Sequence, residues 1–175
     1  GTDVIKINGV ERLPGGGIHT IIPDYIEAGT FMIAAAATRG DVKVRDIIPK
    51  HVESLSAKLT EVGVKLEFGE DYIRVAGNGK LSRANIKTLP YPGFPTDLHP
   101  PMAALLCLAD GTSTVTEGIW DMRYQYIDEL KRMGAKIRLE GRIAVIEGVP
   151  SLSGAPVRAM DLRAGASLVI AGLTA

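Results

Sequence analysis

Hydrophobic positions along the chain recur with two periods, two residues and three to four, and the two alternate. Residues 4–7 and 19–22 alternate apolar with polar side chains, the pattern of half-buried strands, and Pro14-Gly15-Gly16-Gly17 between them reads as a hairpin turn. Pro23-Asp24 leads into 26–38, where Phe31-Met32-Ile33-Ala34-Ala35-Ala36-Ala37 is apolar all round. A helix apolar on every face is expected to be buried on every face. Gly40 ends it, and 42–45 alternates as a strand. Val52, Leu55, Leu59 and Val62 then mark one face of a peripheral amphipathic helix over 50–62, stopped by Gly63. Two short strands follow, 64–68 and 72–76, joined by Gly69-Glu70-Asp71.

The same order then recurs. Gly40, Gly63 and Gly77 are matched by Gly111, Gly134 and Gly148, each pair 71 residues apart. Residues 112–116 alternate as 42–45 do, 124–133 form a second amphipathic helix, and 136–139 with 143–146 form a second strand pair. Repetition at this length predicts an α/β (α+β) fold of duplicated β-α-β-α-β-β units. The units run over about 1–79 and 80–150. A third, 151–175, reaches its apolar helix at 164–175, where the chain stops, and the expectation is a fragment: one lobe with its third unit incomplete.

One stretch breaks the periodicity. Leu89-Pro90-Tyr91-Pro92-Gly93-Phe94-Pro95-Thr96-Asp97-Leu98 holds too many prolines for a regular helix or a central strand. Pro100-Pro101 follow, then an apolar run over 102–109. Proline is tolerated only in a helix's first turn and restricts the residue before it, so this helix is expected to begin near Pro101. Asp97 then lies in the segment just before it. Local chemistry leaves two roles open: a carboxylate serving the helix N-terminus, or one aimed into a cleft.

Composition narrows the function classes. Twenty basic and twenty acidic residues cancel, which removes the electrostatic footprint of a nucleic-acid or anionic-membrane binder. Aromatic residues are 5% of the chain, too few for the stacking platforms of a single-strand binder. A single cysteine, Cys107, excludes an internal disulfide framework and suits a reducing, cytoplasmic setting. Placed in the apolar helix, it is expected to be an inert buried thiol. No apolar run approaches the ~18 residues of a membrane span, and Gly1-Thr2-Asp3-Val4 opens nothing like a signal peptide. His19, His51 and His99 lack metal-ligand spacing. Gly15-Gly16-Gly17 lacks the lysine-serine pair of a phosphate loop.

Four motifs point to a family. Tyr91-Pro92-Gly93-Phe94-Pro95-Thr96-Asp97-Leu98, Gly111-Thr112-Ser113-Thr114-Val115-Thr116-Glu117, Arg132-Met133-Gly134-Ala135-Lys136 and Asp161-Leu162-Arg163-Ala164-Gly165-Ala166-Ser167-Leu168-Val169 closely resemble signatures of the UDP-N-acetylglucosamine enolpyruvyl transferases of peptidoglycan synthesis. The resemblance spans essentially the whole chain. It implies an inverse α/β barrel lobe, with apolar helices inside and sheets outside. It also implies a transferase that moves the enolpyruvyl group of phosphoenolpyruvate to UDP-N-acetylglucosamine and releases phosphate. No metal or organic cofactor is implied, and the only partners are those two small molecules.

By the same resemblance Asp97 contacts the sugar nucleotide and handles the proton of its hydroxyl, and Ile119 contacts the same ligand. Arg123 and Arg163 hold the anionic enolpyruvate group. A planar guanidinium suits that task because it pairs bidentately with carboxylate or phosphate. Asp161 is a secondary candidate and a ready ion-pair partner for Arg163. The family's reactive cysteine belongs to a loop of the other lobe, so Cys107 does not correspond to it. The family's site lies between two lobes; the fragment alone is expected to be inactive and, with apolar surface uncovered, to self-associate. Two alternatives stand beside this reading: a shikimate-pathway enolpyruvyl transferase, and a non-catalytic domain that keeps the fold.

Overall fold

Among the described residues, five α-helices and seven strands follow one another in two similar rounds. The first comprises α1 (Tyr25–Ala37), β1 (Asp41–Arg45), α2 (Glu53–Glu61), β2 (Lys65–Phe68) and β3 (Tyr72–Ala76). The second comprises β4 (Asn85–Lys87), α3 (His99–Leu106), β5 (Thr112–Thr116), α4 (Tyr126–Arg132), β6 (Lys136–Glu140) and β7 (Ile143–Glu147), and α5 (Leu162–Gly172) comes last. These assignments come from a computed structural model, which describes residues 4–77 and 79–175. Strands β1, β3 and β2 make one antiparallel sheet in that order, with Val42 opposite Val75. The second sheet runs β4-β5-β7-β6, with Val115 opposite Ala144 and only β4 parallel to its neighbour. Strand β4 has three residues, too few to show a period, and the sequence did not reveal it.

Helix α3 is the centre of the core. Every residue from His99 to Leu106 is buried, and the helix packs against α1 and α5. Sheets lie outside this helical interior, each turning one apolar face inward: Ile73 and Val75 from one sheet, Val115, Ala144 and Ile146 from the other. Helix α1 starts at Asp24, whose carboxylate accepts the Ile26 N–H at 2.7 Å. It departs from the expected burial on every face, because Phe31 is 64% exposed. Val169 and Leu173 of α5 are exposed as well. Among the described residues no helix is long and apolar enough to cross a membrane.

Two further expectations are corrected. Residues 4–7 and 19–22 are not strands, and no described backbone hydrogen bond closes a hairpin at Pro14–Gly17. Ile5, Ile7, Ile18 and Ile21 are all more than four-fifths exposed. Alternation marks a strand only where a sheet edge is present to pair with it, and neither described sheet receives these residues. The other correction concerns α3, which starts at His99 rather than near Pro101. A 3-10 turn, Thr96–Leu98, runs directly into it, and Pro100 and Pro101 occupy the first turn, where their missing N–H groups cost nothing. Restriction of the residue before proline is a bias, and burial of the whole segment overrides it.

The 71-residue repeat of glycines has a physical cause at one pair. At Gly77 a Cβ would lie 2.8 Å from the carbonyl oxygens of both Ala35 and Ala36, at the end of α1. At Gly148 it would overlap the Ala109 carbonyl oxygen, just past α3. Each glycine lets a strand end pass against the end of a buried helix, where Gly77 N–H bonds Gly40 and Gly148 N–H bonds Gly111. Gly148→Ala should therefore destabilise the protein by about 3 kcal/mol, the upper range for a forced overlap that backbone cannot relieve. Urea unfolding of the variant beside wild type measures this, and an unchanged midpoint would contradict it.

Candidate active site

A groove of about 380 Å³ opens where the N-terminal ends of the buried helices meet. Tyr25 and Ile26 of α1 line it, as do Tyr91, Pro95, Thr96 and Asp97 ahead of α3. Ile119, Trp120 and Arg123, from the loop between β5 and α4, form the facing wall. At the opposite ends of the same helices Thr38, Leu108 and Thr174 share another cavity, so α1, α3 and α5 run in one direction. Their partial positive ends therefore point at the groove, a setting that favours anions.

Proline-rich sequence builds one rim. The Leu89 N–H bonds the Phe94 carbonyl at 3.0 Å, the Gly93 N–H bonds Pro90 at 2.8 Å, and Phe94 is buried beneath the loop. The Ser54 hydroxyl of α2 donates to the Gly93 carbonyl at 3.2 Å, holding the rim against the first unit. The Tyr91–Pro92 peptide is cis.

Asp97 lies in the 3-10 turn at the groove's edge and caps nothing, since α3 has no side-chain cap. Its carboxylate is bracketed by two guanidinium groups. Arg123 donates to one oxygen at 2.5 Å, and Arg163 pairs with the other at 3.0 Å. These three residues, 26 and 40 positions apart in sequence, meet at one point because α3, α4 and α5 all begin there. Arg123 precedes α4, in the loop, rather than opening the helix. Asp161 does not pair with the Arg163 guanidinium as expected; it caps α5, accepting the N–H groups of Arg163 and Ala164, each at 2.8 Å. That cap fixes the first turn of α5 and with it the direction from which Arg163 reaches Asp97. Ile119 lines the groove, but its backbone N–H is already given to Glu117 at 2.7 Å.

Comparison with known proteins places the chain in a family. A family model described as EPSP synthase (3-phosphoshikimate 1-carboxyvinyltransferase) matches residues 1–175. UDP-N-acetylglucosamine 1-carboxyvinyltransferase 3 of Caldanaerobacter subterraneus is 61% identical over the whole chain, which spans 42% of that protein. The UDP-N-acetylglucosamine 1-carboxyvinyltransferase of Desulfofundulus thermocisternus is 59% identical over the whole chain, which spans 72% of it. The chain belongs to the UDP-N-acetylglucosamine 1-carboxyvinyltransferase family. Among solved structures, the enolpyruvyl transferase NikO of Streptomyces tendae superposes with a TM-score of 0.78 at 24% identity. That likeness covers 89% of this chain and 37% of NikO, and it bears on the fold alone. The chain thus spans less than half the length of NikO and of the first relative.

A fully buried carboxylate behind the groove is not singled out by the sequence. Glu117, at the end of β5, has a fully buried side chain and accepts five hydrogen bonds. Its Oε1 receives the Thr88 hydroxyl at 2.7 Å and the N–H groups of Ile119 and Trp120 at 2.7 and 3.1 Å. Its Oε2 receives the Thr96 hydroxyl and His99 Nδ1, each at 2.8 Å. Burial by itself would raise this carboxyl; the bonds from His99, Thr88, the Ile119 N–H and Thr96 outweigh it and hold the group far below the usual carboxylate range. His99 accepts the Tyr126 hydroxyl on Nε2 at 2.7 Å, because burial keeps that phenol protonated. Burial also lowers His99, more than Glu117 raises it, so the imidazole is neutral with its proton on Nδ1. The contact is a hydrogen bond between neutral ring and carboxylate.

A signal for Glu117 was present in the alternation of β5. Ser113 and Val115 point inward, and Glu117 falls on the same side. His99, set aside for lack of metal-ligand spacing, is buried for another reason: it bridges Glu117 and Tyr126. Cys107 is buried as expected and hydrogen-bonds the Ala103 carbonyl; burial pushes its thiol up to about 12. Among the described residues, no three His, Cys, Asp or Glu side chains are grouped to hold a metal.

Below about pH 6.5 the unfolded chain takes up a proton at His99 that the native state resists, so native stability falls with pH. Glu117 adds a second loss below about pH 4.3, where the unfolded carboxylate protonates and the native one does not. Urea unfolding at pH 7, 6 and 5 should show stability declining by up to about 1.4 kcal/mol per pH unit. His99→Gln should flatten that slope, whatever it does to stability at pH 7; an unaltered slope would show that His99 is not its source.

Proposed function

We propose that the complete protein carrying this chain transfers the enolpyruvyl group of phosphoenolpyruvate to UDP-N-acetylglucosamine. The observation that carries the reading is the convergence of Asp97, Arg123 and Arg163 on one groove, in a chain 54–61% identical to relatives that carry that activity in their names. The acceptor hydroxyl oxygen bonds to C2 of the enolpyruvyl group, its proton leaves, and the C2–O bond to phosphate breaks. Asp97 is the group that receives the hydroxyl proton. Arg123 and Arg163 each reach Asp97 through one terminal guanidinium nitrogen and keep further N–H groups for the anionic donor. The placement of Arg163 in the first turn of α5 supports an anion there. Ile119 and Trp120 supply an apolar wall for the sugar nucleotide.

The 175 residues hold the acid–base and arginine side of this site, and a second lobe supplies the rest. Closing two lobes is what brings donor, acceptor and Asp97 together without water. The segment alone is accordingly inactive, and the reaction belongs to the cytoplasm, where both substrates are available.

Asp97→Ala in the complete protein should lower turnover at least ~100-fold, the scale for a lost acid–base group, with the fold intact by circular dichroism. Phosphate release from phosphoenolpyruvate plus UDP-N-acetylglucosamine is the assay. Shikimate 3-phosphate in place of the sugar nucleotide tests the shikimate-pathway alternative, and release with it alone would overturn the proposal.

Arg163→Lys should raise KM for phosphoenolpyruvate about tenfold more than KM for UDP-N-acetylglucosamine, because lysine keeps the charge and loses the planar fork. Equal weakening of both substrates would make Arg163 a structural residue.

A further inference from the structure

The groove has two walls that are far apart in sequence, and one buried side chain is bonded to both. Thr96, next to Asp97, donates its hydroxyl to Glu117 Oε2 at 2.8 Å. Ile119 and Trp120, which lead to Arg123, donate their backbone N–H groups to Glu117 Oε1. One carboxylate oxygen thus serves the helix α3 wall and the other serves the loop wall. The Thr88 hydroxyl braces Oε1 and in turn accepts the Gly118 N–H at 2.7 Å. His99 braces Oε2 from within α3 and is itself held by Tyr126 at the start of α4. The Glu117 backbone N–H bonds the Tyr124 hydroxyl at 3.0 Å, and that hydroxyl donates to the Arg142 carbonyl at 2.6 Å. The two segments that supply Asp97 and Arg123 are both tied into this cluster, whereas α5, which supplies Arg163, is not.

We propose that Glu117 is a positioning residue for the transfer reaction, clamping the Asp97 turn to the Ile119–Trp120 backbone so that Asp97 and Arg123 keep their registration across the groove. The proposal rests on the functional reading above. Glu117 touches neither the groove nor a substrate; it acts through Thr96 on one side and the loop backbone on the other. A carboxylate is suited to the place because both oxygens only accept, and the five groups around them all have a hydrogen to give.

Thr96→Val tests the clamp gently. It removes one hydrogen bond to Glu117 with little change of shape and leaves the other four. In the complete protein, kcat should fall about tenfold or more, the scale of a small misplacement of a reacting group. KM for both substrates should stay within about threefold and the melting temperature within about 3 °C. Thr96→Ser, which keeps the hydroxyl, should restore kcat. Glu117→Gln should lower kcat further in the same direction. Wild-type kcat in Thr96→Val, or a loss that the serine variant does not restore, would overturn the proposal. Crystal structures of the parent and Thr96→Val supply a readout that needs no turnover: the Asp97 carboxylate should move by about 1 Å relative to Arg123. An unmoved carboxylate overturns the clamp, whereas a parent protein without transferase activity overturns the functional reading alone.

Discussion

A carboxylate taken wholly out of water must be met by hydrogen-bond donors on every side, and that requirement organises the site end of this protein. Glu117 draws its donors from Thr88 just past β4, the turn before α3, α3 itself and the loop that follows Glu117. None of these segments can shift far without leaving a buried charge uncompensated, a cost of about 3–5 kcal/mol. The stability of the cluster and the shape of the groove are therefore one constraint. His99 is neutral within it, which leaves the net charge of the cluster negative.

The rest of the fold delivers these segments to one place. Helix α3 has no polar face, so α1 and α5 pack against it and their N-terminal ends come together. Arg163 reaches Asp97 because Asp161 caps the same turn of α5. The helix cap and the Asp97–Arg163 ion pair are coupled there through a single aspartate. At the other ends of the helices, Gly77 and Gly148 admit strand ends so close to helix carbonyls that any side chain would collide. Tight packing at one end and convergent dipoles at the other follow from the same parallel arrangement.

Periodicity alone made most of the regular elements legible. Both amphipathic helices, both strand pairs and the apolar helices lie close to where residue spacing put them, since their packing is local or repeats at a fixed interval. The failures share a cause. Residues 4–7 and 19–22 carry a strand pattern, but pairing depends on a partner edge that local sequence cannot supply. Phe31 looks like core and is exposed, because exposure is set by what lies opposite a helix. Helix α3 starts two residues ahead of the position its prolines favour, because burial of the whole segment overrides a local bias.

At the site the residue types are legible in the sequence: Asp97 and Arg163 fall within recognisable motifs, and Ile119 and Arg123 lie between two of them. Only the tertiary structure decided which of them meet. Asp97 could have capped a helix and Arg163 could have paired with Asp161; both contacts were local and chemically reasonable. Instead Asp97 lies between Arg123 and Arg163, and Asp161 is occupied by backbone N–H groups. Glu117 and His99 are the clearest case. In sequence they are 18 residues apart, with nothing to mark them as a pair. A buried hydrogen bond is defined by two groups excluded from the same water, and that exclusion exists only once helix, strand and loop have closed around them.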